Sequence, residues 1–408
     1  MKIEFNTLML AAGLGILSLS AEAAIETQRL QPVPLATEAE FGFAITNQHP
    51  IWVVSAPGAD QVHVFDCAGA RCVSGQVLTG AGATGFGRAL ALDGDWLAIG
   101  QPIAQRVSLY QHQSGTWVLH STIEPAVPAL DGRFGASLSM DGTQLAVGAP
   151  GEQNGAGAVY VYAEGSGQWT QQVRFGASAS LQRLGHAVVI DGTTLAVGAP
   201  FSAVAPGYAE GRVWVLAGAG SSWTEEALLT SPVPVSAELF GYALDLQTGR
   251  LVVGRPGAGQ NAVNEGAVDV FSRSPEGSWS HDATLTALNG AANERLGWSV
   301  ALEGQQILAG APFALANQTF LCGSSTLFVF SANQWANADF SEHDRLPGSL
   351  TGFSVAVSAQ RWMTGAPTFA ESAGAGSGVG YWFNTVGGLF GHGFGLADVS
   401  CMPEVLRR

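Results

Sequence analysis

The sequence repeats one short pattern seven times, and this repetition limits the chain to a few architectures. A Phe-Gly pair, or a close variant, is followed fourteen residues later by a Gly-Ala-Pro triplet or its variant. The pairs begin at Phe41, Phe86, Phe134, Leu184, Phe240, Leu296 and Thr351, and the triplets begin at Ser55, Gly100, Gly148, Gly198, Gly254, Gly310 and Gly365. The hexapeptide LAVGAP occurs twice, at 145–150 and 195–200. Self-similarity at this period predicts a repeat protein of seven units.

Each unit is predicted to contain four β-strands. In the third unit, FGASLSM alternates apolar and polar residues and meets Asp141-Gly142, a strong hairpin signal. TQLAVGAP predicts a buried second strand, which ends at a proline because proline cannot donate a ladder hydrogen bond. AVYVYAEG alternates again as a third strand. The fourth strands begin at tryptophans, namely Trp117, Trp169, Trp223, Trp279 and Trp335.

Seven such units predict an all-β fold, a seven-bladed β-propeller of four-stranded antiparallel blades. Radial closure leaves only short, protected sheet edges. A linear β-solenoid, with shorter and more regular repeats, is the alternative. The seventh unit ends near Phe383 without a tryptophan-headed strand, and segment 25–32 precedes Phe41 by the spacing at which the tryptophans precede their next repeat. We therefore expect the N-terminal strand to complete the last blade.

The two ends of the chain are predicted to lie outside the propeller. Residues 1–23 resemble a signal peptide, since Lys2 precedes an apolar run from Leu8 to Leu19 and small residues follow. The alternative is a buried N-terminal helix. The propeller is predicted over residues 24–384, and a Gly-rich C-terminal tail over residues 385–408. The apolar run is too short to span a bilayer. We expect an exported protein (periplasmic, secreted or at the cell surface) with no membrane insertion after signal removal.

The charge balance excludes several classes of function. The chain has 17 Lys and Arg against 32 Asp and Glu, a formal net charge of −15. Nucleic acids and anionic membranes bind through clustered basic residues, so neither is expected as a partner. Lys2 is the only lysine. After signal removal the chain would therefore have no lysine for Schiff-base or P-loop chemistry.

Four cysteines fit an exported protein, because oxidising compartments permit disulfides. Cys67 and Cys72 are close enough to clip one turn, and Cys322 and Cys401 are then left to pair, which would pin the C-terminal tail. Three connectivities are possible for four cysteines, so the pairing stays open. No C-x-x-C or nearby histidine spacing accompanies them, and a zinc site is not expected.

The Phe-Gly and Gly-Ala-Pro units resemble the FG-GAP repeats of integrin α-subunit propellers and of related bacterial exported proteins. The resemblance extends from Phe41 to about Phe383. In integrin-type repeats the first hairpin often carries an Asp-rich calcium loop, whereas here MDGT or IDGT offers one carboxylate and calcium takes about six to eight oxygens. No calcium, other metal or cofactor is therefore predicted. The acidic residues of these hairpins, Asp93, Asp141 and Asp191, are interpreted as type I′ turn residues.

The residue after each Phe-Gly pair is a candidate ligand-binding position. On the innermost strand these residues should surround the mouth of the central channel. The predicted ring is Phe43, Arg88, His186, Tyr242, Trp298 and Phe353, with Ala136 at the third unit. The resemblance implies that such an aromatic cup surrounds a basic side chain of a partner, held by cation–π contacts. The alternative is that bulky side chains only fill the channel.

The loops between second and third strands vary most in length. They share one face with the connections between units, because strands alternate in direction, and variable loops on a rigid scaffold commonly carry function. The candidate ligand-binding residues there are Glu152, Asn154, Tyr208, Glu210, Asn264 and Glu265, and further candidates are Asn261, Gln318 and Phe320. Unselected variation of the loops is the alternative.

Two classes of function follow from these patterns. The favoured one is a non-enzymatic exported propeller, an adhesion or interaction module that binds a protein or a surface glycan through the variable-loop face and the channel mouth. The other is a propeller hydrolase or lyase that uses carboxylates at the mouth, with Glu152, Glu210 and Glu265 as candidates. Glycosidase-like chemistry needs two carboxylates ~5–9.5 Å apart. No G-x-S-x-G or H-E-x-x-H motif occurs, so no catalytic residue is assigned.

Overall fold

The chain folds into seven four-stranded antiparallel sheets, the blades of a seven-bladed β-propeller. The computed structural model describes residues 26–31, 38–69, 71–177, 182–203, 208–288, 290–316, 320–338, 348–358, 361–369 and 376–384. Among these residues, no helix is long and apolar enough to cross a membrane. The predicted fold class is confirmed.

Each blade begins with its innermost strand and ends with its outermost strand. The strands are Ile45–Gln48, Ile51–Ala56, Gln61–Asp66 and Val73–Thr79 in blade 1; Ala89–Asp93, Trp96–Gln101, Arg106–Gln113 and Thr116–Ile123 in blade 2; Ser137–Asp141, Gln144–Ala149, Ala158–Gly165 and Gln168–Gly176 in blade 3; Ala187–Asp191, Thr194–Ala199, Arg212–Ala219 and Ser222–Leu229 in blade 4; Ala243–Gln247, Arg250–Arg255, Ala267–Arg273 and Trp279–Leu285 in blade 5; Ser299–Glu303, Gln306–Ala311, Ser324–Ser331 and Gln334–Ala338 in blade 6; and Ser354–Ser358, Arg361–Ala366, Val379–Asn384 and Glu26–Leu30 in blade 7. The loops add a 3-10 turn at Pro57–Ala59, a helical turn at Glu152–Gly155 and a short hairpin of Leu315–Ala316 with Phe320–Leu321.

The N-terminal strand closes the propeller, as predicted. Glu26–Leu30 pairs antiparallel with Val379–Asn384, and Gln28 lies opposite Trp382. Gln28 also joins this strand to blade 1. Its Nε2 donates to the carbonyl of Cys72 (3.0 Å), and its Oε1 accepts from the N–H of Cys72 (2.7 Å). The first and last strands of the fold therefore share one sheet and contact the neighbouring blade.

The disulfide predicted for blade 1 is present. Cys67 and Cys72 are bonded across the turn between the third and fourth strands of this blade. Cys401 lies outside the described residues, so the Cys322–Cys401 pairing stays a prediction. The same holds for the signal peptide at 1–23 and the tail at 385–408.

The glycine of the Gly-Ala-Pro triplet packs against the backbone of the next blade. In six blades, a Cβ at this glycine would lie closer than 3.0 Å to the carbonyl oxygen of the next Phe-Gly glycine, and real Cβ atoms essentially never come that close. The contacts are Gly100 with Gly135, Gly148 with Gly185, Gly198 with Gly241, Gly254 with Gly297, Gly310 with Gly352 and Gly365 with Gly42. Blade 1 has Ser55 at this position. The two parts of the sequence repeat thus meet at six junctions, which explains why the hexapeptide LAVGAP recurs.

The acidic residues of the first hairpins join neighbouring blades. Each carboxylate accepts a hydrogen bond from a turn N–H of the next blade: Asp93 from Gly142, Asp141 from Gly192, and Asp191 from Thr248. Their interpretation as type I′ turn residues is wrong. A type I′ turn has positive φ at both central residues, whereas here only the glycine after each Asp has it, at 55–57°. The aspartates instead pair across the hairpin as the last residues of their strands.

Candidate binding site at the channel mouth

One face of the propeller carries all the candidate positions. We call it the upper face; it comprises the loops between second and third strands, the connections between blades and the residue after each Phe-Gly pair. That residue is placed by a tight turn in every blade. Its N–H donates to the carbonyl three residues earlier, at 3.0–3.2 Å in all seven. The Phe-Gly glycine between them has φ of 82–90°, which glycine adopts without strain.

The predicted ring residues contact one another in order around the channel mouth; we call them the mouth ring. The distances between ring centroids are 4.6 Å for His186–Tyr242, 4.7 Å for Tyr242–Trp298, 5.9 Å for Trp298–Phe353 and 5.0 Å for Phe353–Phe43, and Arg88 Cζ lies 4.7 Å from the centroid of Phe43. All six side chains are half-buried. Ala136 leaves the ring open at blade 3. The structure therefore brings the six predicted residues together as an aromatic collar of five rings that the guanidinium of Arg88 extends.

Two arginines flank the mouth ring. Arg183 and Arg295 immediately precede the Phe-Gly positions of blades 4 and 6. Their Cζ atoms lie 5.0 Å from the ring centroid of Phe201 and 5.9 Å from that of Phe313. Both phenylalanines pack in turn on the mouth ring, at centroid distances of 6.3 and 5.2 Å. The arginines are therefore held at the rim by stacking on aromatic faces.

The histidine and the tyrosine of the mouth ring are uncharged at neutral pH. Burial, assisted by the charge of Arg183, lowers the pKa of His186 to about 4. Burial raises the pKa of Tyr242 above its usual value, although Arg295 and Arg183 act in the opposite direction. Arg88 is neutralised by an ion pair with Glu40 (3.3 Å). The mouth therefore has a positive local charge, carried by arginines, in a chain of net charge −15.

The predicted loop residue Glu152 is buried in its own blade. Its side chain is 7% exposed, accepts a hydrogen bond from the hydroxyl of Tyr160 (2.5 Å) and forms an ion pair with Arg174. All three residues belong to blade 3. This carboxylate holds the loop against the third and fourth strands.

Glu265 holds its own loop in a comparable way. It is 2% exposed, and its carboxylate accepts the N–H groups of Gln260, Asn261 and Ala262 at 2.9–3.1 Å. Glu210 is also buried. Glu152 and Glu265 therefore bond inside different blades, whereas a hydrolase or lyase needs carboxylates that face a common substrate.

The remaining loop candidates are more accessible. Asn154 and Tyr208 are exposed. Asn264 is half-buried and donates through Nδ2 to the side-chain oxygen of Asn293 (3.0 Å). Gln318 lies outside the described residues, and of Phe320 only the backbone is described, in the short hairpin of blade 6.

Exposed apolar side chains concentrate on the upper face, which the sequence did not predict. Of the 13 large hydrophobic residues exposed in the described chain, eight lie in its loops. They are Ile103, Val127, Leu130, Tyr208, Val233, Val235, Val263 and Leu288. The other five lie on outermost strands. Scattered apolar residues are ordinary on protein surfaces, but here more than half of those exposed in the described chain share one face.

A buried charge cluster in blade 5 was also missed. Arg255 takes the place of the triplet alanine and is 4% exposed. Its guanidinium pairs with Glu238 (3.1 Å) and Asp269 (3.0 Å). Asp269 is fully buried, accepts from the hydroxyl of Thr284 (2.6 Å) and lies 3.3 Å from Nε2 of His281. The sequence carried one sign of this cluster, since the triplet of blade 5 reads Gly-Arg-Pro in place of Gly-Ala-Pro. Burying an arginine without an acidic partner would be strongly destabilising, so this change indicates buried acidic partners.

The central channel beyond the mouth ring contains a cavity of about 480 Å³ lined by innermost strands. Asp245 contributes a carboxylate to its wall and accepts the N–H of Leu302 (2.7 Å) and of Leu246 (2.8 Å). Burial outweighs these hydrogen bonds and raises the pKa of Asp245 to about 7. Ser139 takes the matching position in blade 3 and accepts the N–H of Ile190 (3.0 Å). In the described part of the chain, no group of three or more His, Cys, Asp or Glu is placed to hold a metal ion.

Asp245 should make the stability of the protein depend on pH. The folded state holds its proton up to about pH 7, whereas the unfolded chain releases it near the ordinary pKa of 3.8, so this residue's contribution falls as pH rises between these values. The variant Asp245→Ser keeps an acceptor for the N–H of Leu302. We expect it to exceed the wild type in free energy of unfolding at about pH 8 and to gain little at about pH 4. Urea unfolding at both pH values tests this, and an equal difference at both would contradict it.

Comparisons with known proteins agree with this fold. The FG-GAP repeat family model matches residues 117–162 and 279–327, each running from the outermost strand of one blade to the third strand of the next. Hydrazine synthase of Kuenenia stuttgartiensis is 15% identical, with a TM-score of 0.55 over 88% of this chain and 99% of that chain. A streptogramin B lyase structure is 9% identical, with a TM-score of 0.57 over 88% and 97% of the two chains. At these identities the likeness concerns the fold alone. No curated protein sequence matches the chain.

Proposed function

We propose that this propeller, which carries FG-GAP repeats and is consistent with an integrin-like FG-GAP propeller, is a non-enzymatic module that binds a protein through its upper face and channel mouth. The fold supports an interaction module in general terms. The observation that carries the proposal is the concentration of exposed apolar side chains in the loops around the mouth ring. Interfaces combine such apolar residues with aromatic anchors in pockets.

The same observations separate a protein partner from the other candidates. A surface glycan would use the aromatic collar but would leave the exposed valines and leucines of the loops without a counterpart. A hydrolase or lyase gains no support, because Glu152 and Glu265 are committed to their own loops. The mouth is positive, but the chain as a whole has a net charge of −15. This net charge would repel nucleic acids and anionic membranes, so neither is supported as a partner.

We further propose that the protein is exported and works in the periplasm, as a secreted protein or at the cell surface. The Cys67–Cys72 disulfide supports this location, because disulfides persist in oxidising compartments. FG-GAP propellers are typically extracellular. Binding is proposed to need no metal or cofactor.

Substituting two exposed valines should separate the upper face from the sides of the propeller. Val233 and Val235 are 72% and 56% exposed in the connection between blades 4 and 5. The double variant Val233→Ser, Val235→Ser should bind surface proteins about tenfold more weakly, because the apolar area buried in the complex is lost. Retention of biotinylated cell-surface proteins on the immobilised propeller, measured against dilution, gives this ratio.

The control is Val118→Ser, which changes an exposed valine on an outermost strand and should bind like the wild type. Prior digestion of the surface extract with protease should abolish binding. If periodate oxidation abolishes it and protease does not, the partner is a glycan. Equal binding by wild type and the double variant would contradict an upper-face interface.

A further inference from the structure

We propose that the channel mouth binds a carboxylate of the protein partner, at the part of the mouth ring that Arg183 and Arg295 flank. The partner then presents an acidic side chain or its C-terminus, within a segment that also carries apolar residues. The inference rests on the proposed protein-binding function and names the chemistry that the mouth recognises.

The first support is the state of the arginines. Among the described residues, neither Arg183 nor Arg295 forms an ion pair, and each guanidinium is held only by its stacking on phenylalanine. Arg133 precedes the Phe-Gly pair of blade 3 in the same way, but it is paired with Asp131 (3.1 Å). Arg88 is paired with Glu40 (3.3 Å). Two of these four arginines therefore keep the planar donor fork that matches a carboxylate.

The second support is the set of hydrogen-bond donors that Tyr242 and His186 of the mouth ring offer next to these arginines. The hydroxyl of Tyr242 and the imidazole of His186 make no hydrogen bond to any residue in the described ranges. A phenol and a neutral imidazole each offer one donor, and the two guanidinium groups offer donors only. Tyr242 lies between His186 and Trp298, at 4.6 and 4.7 Å. This arc of the mouth therefore presents an excess of donors, which an anionic acceptor satisfies.

The third support is the unfavourable alternative of a basic occupant. The resemblance to integrin-type propellers implies that a basic side chain of a partner enters the aromatic cup. Here the place over the ring of Phe43 is already taken by the guanidinium of Arg88, whose charge is balanced by Glu40. Arg183 and Arg295 add positive charge nearby. A further cation would be repelled by these two arginines in a half-buried site, where screening by solvent is weaker than in bulk water.

The surroundings favour a peptide as the carrier of the carboxylate. Val233 and Val235 (between blades 4 and 5), Val263 (in blade 5) and Leu288 (between blades 5 and 6) are all exposed. These loops belong to the blades that contribute Tyr242 and the flanking arginines. An acidic residue with apolar neighbours would pair its charge at the mouth and bury its apolar side chains against these loops.

Selection from a displayed library of random peptides tests the inference directly. Peptides retained by the wild type should be enriched in Asp, Glu or a C-terminal carboxylate next to apolar residues. The double variant Arg183→Gln, Arg295→Gln should lose this acidic enrichment. The matched control Arg133→Gln changes the same register position in blade 3 and should keep it. Thermal unfolding of all variants verifies that the propeller is intact.

Synthetic forms of one selected peptide distinguish the two sources of the carboxylate. Replacing its Glu by Gln, or its free C-terminus by an amide, should weaken wild-type binding by about tenfold for whichever group occupies the mouth. The double variant should bind all forms about equally weakly.

The failures of the two proposals can be told apart. Peptides enriched in Lys or Arg, or an acidic enrichment that survives in the double variant, would overturn the carboxylate site and leave the protein-binding function standing. Selection that yields no peptide, combined with unimpaired surface binding by the valine variant, would overturn both. An oligosaccharide of glucuronic acid that binds the wild type, while no peptide does, would assign the mouth to a glycan and overturn the peptide inference.

Discussion

Replacing Arg255 by alanine should lower the free energy of unfolding by ~3–5 kcal/mol. The substitution leaves Glu238 and Asp269, which are 3% and 0% exposed, without the guanidinium that pairs with both. Two buried carboxylates cannot recover this stabilisation from solvent, and removing one partner of a buried ion pair is far more costly than removing the whole group. Denaturant unfolding measured at neutral pH gives the value.

Two further variants make this prediction specific to burial. Arg133→Ala breaks the exposed pair with Asp131 and should cost less than about 1 kcal/mol. The triple variant Arg255→Ala, Glu238→Gln, Asp269→Ser should recover most of the loss, because it removes the charges together and copies the Ala of other triplets and the Ser108 of blade 2. A cost for Arg255→Ala no larger than that for Arg133→Ala would contradict the buried cluster.

Replacing Gly198 by alanine should cost about 3 kcal/mol, at the upper end of what overpacking usually costs. The new Cβ would lie closer than 3.0 Å to the carbonyl oxygen of Gly241 in the next blade. Gly198 lies in the second strand of blade 4, and Gly241 lies in the tight turn at the mouth of blade 5. Because strand pairing and the turn hold both backbones in place, blades 4 and 5 would have to separate to accept the methyl group. The expected result is a lower midpoint of thermal unfolding together with unchanged strand content.

The control for this substitution is Gly165→Ala. Gly165 lies at the end of the third strand of blade 3, and a Cβ there would meet nothing within 4 Å. The gain or loss should therefore be within about 0.5 kcal/mol. Equal destabilisation by the two alanines would show that the effect belongs to glycine in strands and not to the blade junction.

The architecture could be predicted from the sequence because each blade is a local unit with its own turn signals. Strand alternation, the proline after the second strand and the tryptophan at the fourth depend on neighbouring residues, and seven copies average out local errors. The closing strand at Glu26–Leu30 was predicted for the same reason, since its distance from Phe41 matches the distance in other units. The type I′ assignment at Asp141 failed because the central residues of this turn are Gly142 and Thr143, and only Gly142 has positive φ. The contact of the Asp141 carboxylate with Gly192 of the next blade could not be predicted either, since no local pattern shows it.

The candidate site was predictable in position and only partly in chemistry. The mouth ring follows the Phe-Gly pair, so its register could be counted along the chain. Glu152 and Glu265 were named as loop residues. The sequence does not distinguish a loop carboxylate that faces a ligand from one that bonds within its own blade. Their burial depends on Tyr160, Arg174 and the local N–H groups, which the fold brings to them.

The sequence by itself determined the number of blades, the strand that closes them and the ring of side chains at the mouth, because all three follow from spacing along the chain. Only the tertiary structure decided which charges are satisfied internally and which remain available. Glu152 and Arg255 form ion pairs inside their blades, whereas Arg183 and Arg295 lie at the rim on aromatic faces. The physical reason is that the free energy of a charge depends on its burial and on partners distant in sequence, and both are set when the blades pack together.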